Sequence, residues 1–109
     1  MSRGWLSLKE EKEKTMRHFI IVKFTEETNP KELLAPVQAL FDEAKEIPGV
    51  SDVKVHLCNT AYKNRYDMMI EMFMTEEGLE AYNVSEMPKA WKRDYGDRIA
   101  AKTSFDCAD

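Results

Sequence analysis

Residues 66–74 read YDMMIEMFM. Successive side chains of a strand point to opposite faces, which puts Met68, Ile70, Met72 and Met74 on one face and Met69, Glu71 and Phe73 on the other. Both faces are apolar apart from one carboxylate. The run RHFIIVKF at 17–24 repeats the pattern: His18, Ile20, Val22 and Phe24 share one parity, Phe19 and Ile21 the other, with Lys23 the exception. An antiparallel sheet covered on one side only should alternate apolar with polar residues. Leaving such side chains wet would forgo about 1.5–3 kcal/mol each, and the cover open to any chain is a second copy of itself. The pattern therefore predicts a two-fold homodimer with sheets face to face, the contact face being Phe19, Ile21, Lys23, Met69, Glu71 and Phe73. A lysine and a glutamate on one buried face in neighbouring strands predict a Lys23–Glu71 pair.

TNPKE at 28–32 is a helix start, with Asn29 as N-cap, Pro30 at the first helical position and Glu32 placed for a reciprocal capping bond. Leu33, Leu34, Val37, Leu40, Phe41, Ala44 and Ile47 follow as a stripe at three-and-four spacing. Pro36 inside it predicts a kink or a later true start, and IPGV at 47–50 is a stop. SDVKVHLC at 51–58 alternates Val53, Val55 and Leu57 against Asp52, Lys54 and His56, as an edge strand with one wet face does. A helical stretch from Thr75 is interrupted near Asn83, restarts with Ser85 as cap and Pro88 in its first turn, and stops at Gly96. Its stripe of Met87, Trp91 and Tyr95 predicts packing onto the sheet, and Lys89, Lys92 and Arg93 form a solvated basic face. DRIAAKTSFDC at 97–107 is a fourth strand. The order β-α-β-β-α-β predicts an α+β, ferredoxin-like fold, an antiparallel sheet with helices on one face. A small apolar ligand is expected between sheet and helices, against Ile20, Val22, Val37, Leu40, Ile70, Met72 and Trp91, with methionines as adaptable lining.

A chain of 109 residues is one domain by size. Residues 1–15 are polar apart from Trp5, Leu6 and Leu8, and Ser7 with Glu10 has capping-box spacing, so a short helical arm and a frayed tail both fit. The expected division is an N-terminal extension at 1–15 and a domain at 16–109. A net charge of −4 argues against nucleic acid as partner, and YDMMIEMFM lacks the aromatics in a basic surround with which such sheets bind RNA. Cys58 and Cys107 show no CxxC or Cys/His spacing, so neither a disulfide framework nor a metal site is expected. No apolar run approaches the roughly 20 residues of a membrane helix, and the N-terminus lacks the basic-then-apolar order of a secretory signal. The expectation is a cytoplasmic protein with no membrane partner.

The segments MRHFIIVKF (16–24), IPGV (47–50), NRYDMMIEM (64–72) and EEGLEAY (76–82), in this order and separation, resemble the stress-responsive dimeric α/β-barrel (Dabb) domain over about residues 16–107. The resemblance implies a ferredoxin-like protomer whose sheet pairs with a second sheet into a dimeric α/β barrel. Most members of that family have no assigned activity. A few resemble cofactor-free enzymes, plant polyketide cyclases among them, in which a histidine of the second helical region and a tyrosine before it act on an aromatic precursor. By this resemblance His18 matches the histidine at the head of strand one, and Tyr82 the tyrosine that ends EEGLEAY. The family's His-Pro-x-His segment is here SEMPKAW (85–91), without histidine. Acid/base work near neutral pH needs a group titrating there, which Ser85, Met87 and Lys89 do not supply.

Two functions follow as expectations. The first is a homodimeric Dabb-type binding or structural module, with no cofactor and no strong catalytic constellation. The alternative is a cofactor-free enzyme, a cyclase, lyase or monooxygenase on a small aromatic or polyketide-like substrate, with His18 and Tyr82 handling protons. His18 also reads as a hydrogen-bonded core histidine, Tyr82 as a tyrosine capping the core from a helix end, and His56 as a polar edge residue without function.

Overall fold

The computed structural model describes residues 14–109; the Ser7–Glu10 pattern lies outside them. Strand β1 (Thr15–Phe24) leads to helix α1 (Pro30–Asp42) and a 3-10 turn, then β2 (Val50–Leu57), β3 (Met68–Thr75), α2 (Glu76–Val84), α3 (Met87–Tyr95), a second 3-10 turn and β4 (Ile99–Ala108). The sheet order is β2-β3-β1-β4, every neighbour antiparallel, as the ferredoxin-like reading requires.

Local chemistry sets the helix ends. Asn29 Oδ1 accepts the Lys31 N–H at 3.1 Å, and Pro30 stands in the first turn of α1. The helix runs through Pro36 without the later start that this residue predicted. Pro36 withholds one N–H from the ladder, and burial of Leu33, Val37 and Phe41 outweighs that loss. Thr75 Oγ1 accepts the Gly78 N–H at 3.0 Å to begin α2. The break comes after Val84, where Ser85 Oγ donates to the Tyr82 carbonyl at 2.6 Å and accepts the Met87 N–H at 3.2 Å. One hydroxyl thus closes α2 and opens α3. Thr15, assigned to the extension on sequence, is the first residue of β1: it lies opposite Thr75, and its hydroxyl donates to Asp109 at 2.9 Å.

All helices among the described residues lie on one face of the sheet. Ile20, Val22 and Phe24 of β1, Val53 of β2, and Met68, Ile70, Met72 and Met74 of β3 form the floor of the core, roofed by Leu33, Val37 and Phe41 of α1 and by Met87 and Trp91 of α3. Helix α1 packs over β2, and α2 over β3 and β1. Strand β4, at the other edge, is exposed along nearly all its length.

The stop at IPGV has a second use. Gly49 takes φ +97°, a region that disfavours L side chains, and a Cβ on Gly78 would sit 2.6 Å from the Gly49 carbonyl oxygen. The start of β2 and the first turn of α2 therefore touch backbone to backbone. Gly78→Ala is expected to lower stability by about 1–3 kcal/mol through forced separation of these elements, read from urea midpoints at unchanged m-value.

Candidate functional site

On the helix side of β1 the side chain of His18 is enclosed, 7% exposed. The register places Asp106 of β4 directly opposite, and the His18 Nδ1–H donates to Asp106 Oδ1 at 2.5 Å. With Nδ1 committed to the carboxylate, Nε2 is the ring atom left to accept a proton or a hydrogen bond. Tyr82, near the end of α2, lies with its ring centroid 5.9 Å from that of His18. The fold thus brings the two expected acid/base residues together, and adds Asp106. That residue also lines an open cavity of about 690 Å³ at the end of the β1–β4 ladder, with Met16, Glu76, Cys107 and Asp109. Neither ring lines that cavity.

Burial pushes the Tyr82 phenol up to about 12 from its usual 10. It is a neutral donor at physiological pH. The unfolded chain ionises near pH 10 and the folded chain near 12, so the folded state holds this proton through the interval. Stability present below pH 10 is lost as pH rises through 12, by about 2–3 kcal/mol in all. Tyr82→Phe is expected to remove that alkaline loss in denaturant titrations at stepped pH.

Of the residues expected to line a ligand pocket, Ile20, Val22, Val37, Ile70, Met72 and Trp91 are buried members of the core between sheet and helices and Leu40 is packed against it. Trp91 meets Phe41 edge-on at 5.2 Å and Tyr95 at 5.2 Å. Its indole N–H is the buried side-chain polar atom without a partner among the described residues.

The opposite face of the sheet carries Phe19, Ile21, Lys23, Met69, Glu71 and Phe73, and among the described residues no helix covers it. Phe105 of β4 belongs to it too: paired with Phe19 in register, 6.1 Å away ring to ring, and 58% exposed. The predicted Lys23–Glu71 pair is absent. Glu71 stands opposite Phe19, four residues or about 13 Å from Lys23 along the strand. Lys23 Nζ instead donates to the Arg65 carbonyl at 3.3 Å. Glu71 is bonded by Arg17 Nη1 at 3.3 Å and His56 Nε2 at 2.9 Å. His56, read on sequence as a bystander, is therefore part of a charged cluster set in an apolar face.

No family model matches the chain, and no curated protein is similar to it in sequence. Solved structures are similar in fold. A dimeric ferredoxin-like protein of unknown function from Thermobifida fusca is 15% identical at a TM-score of 0.71, with 87% of this chain and 91% of that one covered. A Dabb family protein from Mesorhizobium loti is 16% identical at 0.59, with 88% and 97% covered. A hydroxynitrile lyase from Passiflora edulis is 9% identical at 0.69, with 88% and 94% covered. This chain has their ferredoxin-like fold. Within that fold His18, Tyr82 and Asp106 lie on the helix side near the β4 edge, and the Arg17–Glu71–His56 cluster lies on the open side.

Arg17, His56, Asp106 and Phe105 escaped the sequence reading. Each owes its place to strand register, which alternation within one strand does not specify.

Proposed function

We propose that this protein is a cytoplasmic homodimer whose open sheet faces pack on each other into an α/β barrel, serving as a structural or small-ligand-binding module. The observation that carries the reading is the open face itself. Phe19, Ile21, Met69, Phe73 and Phe105 lie side by side across β1, β3 and β4, with no covering element among the described residues. The dimeric ferredoxin-like structures from Thermobifida fusca and other sources support it. So do two free cysteines, Cys58 and Cys107, as a reducing compartment allows. Sedimentation equilibrium at micromolar concentration is expected to give twice the 12.7 kDa chain mass. A single 12.7 kDa species would overturn the reading. Native mass spectrometry after gentle purification reads any small molecule retained by the dimer.

A second reading is favoured by one observation, the His18–Asp106 bond beside Tyr82. Asp106 would orient the imidazole, and His18 Nε2 would take the hydroxyl proton of a cyanohydrin as its C=O forms and its C–CN bond breaks. The neutral Tyr82 phenol would donate a hydrogen bond to the departing cyanide, which leaves as HCN with the proton returned by His18. A hydroxynitrile lyase of the same fold makes an aromatic cyanohydrin the first substrate to try. Aldehyde release from mandelonitrile that disappears in both His18→Gln and Tyr82→Phe would move the assignment to an enzyme; absence of release keeps it with the module.

A further inference from the structure

Glu71 is 8% exposed in the single protomer, a carboxylate in the middle of an apolar face. Its neutralisation there is incomplete. Arg17 divides its charge between Glu71 at 3.3 Å and Asp109 at 3.2 Å, one cation against two carboxylates. Lys54 stands directly opposite Glu71 on β2, yet its ammonium lies over the Phe73 ring at 5.7 Å, where Arg17 also stacks at 5.1 Å. The remaining partner is His56, whose Nε2 is 2.9 Å from Glu71 Oε1 and whose side chain is itself 44% exposed.

We propose that His56 makes self-association acid-strengthened: when a second copy covers the open face, the protonated imidazole completes the neutralisation of Glu71. This rests on the open face being the self-association surface. In the free protomer, water reaches His56 and the edge of Glu71 and supports either protonation state. Under a second sheet that water leaves, and a carboxylate removed from water is stabilised most by a charged donor already within bonding distance. Covering therefore favours protonated His56, so association takes up protons and tightens as pH falls.

The charged and titratable groups facing His56 set the window. Lys54 on its own strand opposes the added charge; it is exposed and screened by solvent in the protomer, and its ammonium lies over the Phe73 ring and not against His56. Arg17 of β1 opposes it too, with its charge partly offset by Asp109, and Glu71 of β3, in direct contact with the imidazole, favours it. Cys58 and Tyr66 share an apolar cavity of about 260 Å³ with His56. The Cys58 thiol is drawn below its ordinary value by hydrogen bonds to Thr60, so alkaline pH is avoided.

The test is the dimer dissociation constant by sedimentation equilibrium at fixed ionic strength, between about pH 7.5 and about pH 5.5, where histidine titrates. The wild type is expected to tighten by about tenfold or more, since one pH unit of proton linkage at a site is a factor of ten. His56→Gln, which keeps a hydrogen-bond donor at an exposed position, is expected to show no such change, and Glu71→Gln likewise. A wild-type constant that is flat or weaker at the lower pH, or a His56→Gln constant that keeps the full change, overturns the inference and leaves the dimer standing. A protomer alone at every pH overturns the self-association reading itself, and this inference with it.

Discussion

Phe105→Asp is expected to leave a folded protein that sediments as a monomer at micromolar concentration, where the proposed packing of open faces predicts a dimer for the wild type. The phenyl ring is 58% exposed in the protomer and touches the ring of Phe19, so its removal costs the isolated fold little. In the proposed dimer both copies of the ring would be buried, and losing two such burials would cost about 3–6 kcal/mol, a hundredfold or more in dissociation constant. The aspartate adds a second carboxylate to the face that carries Glu71, two strands away across Phe19, and one with no assigned cation. Sedimentation velocity reads the mass, and circular dichroism reads the retained fold. A variant that sediments with the wild-type dimer would show that β4 lies outside the interface and that the open face serves another purpose.

Phe41→Ala has the largest expected effect on the protomer. Phe41 is fully buried at the last turn of α1, its ring 5.2 Å from that of Trp91 in an edge-on arrangement. It joins the first helix to the third across a floor of Val53, Ile70 and Met72 that is itself closed to solvent. Truncation leaves a cavity that rigid strands cannot collapse, which for a buried phenylalanine costs about 3–5 kcal/mol. A domain of this size has about 5–15 kcal/mol in total, so the variant should be close to unfolding at physiological temperature. Trp91 reports the change directly through its fluorescence in a urea titration. A loss below about 1 kcal/mol would mean that the helices reseal over the gap, against the tight packing described above.

The two experiments probe opposite faces of one sheet, and they separate cleanly. Phe105 lies on the side away from the helices and Phe41 on the side beneath them, so the first should alter mass without stability of the protomer and the second the reverse. If Phe105→Asp unfolds the chain, protomer and dimer are one cooperative unit, and folding itself depends on protein concentration.

Much of this architecture is legible in short stretches of sequence. The parity of Met68, Ile70, Met72 and Met74, the cap at Asn29, the stop at Gly49 and the stripe of Met87, Trp91 and Tyr95 each depend on neighbours within a few residues. Alternation and helical spacing record which side of an element is buried, because one periodicity applies along the whole element. The order of elements and the two-sided greasiness of the sheet follow from those patterns. Their limits show at Pro36, whose local penalty is smaller than the burial around it.

What belongs to tertiary structure alone is which residue stands beside which. Glu71 pairs with Arg17 and His56 rather than Lys23, and Asp106 meets His18 across 88 residues of chain. A strand's own pattern is unchanged by sliding two residues along its neighbour, while every cross-strand partner is replaced. Register is decided by the sum of contacts over the whole sheet, so the chemistry written across strands emerges only once they are aligned.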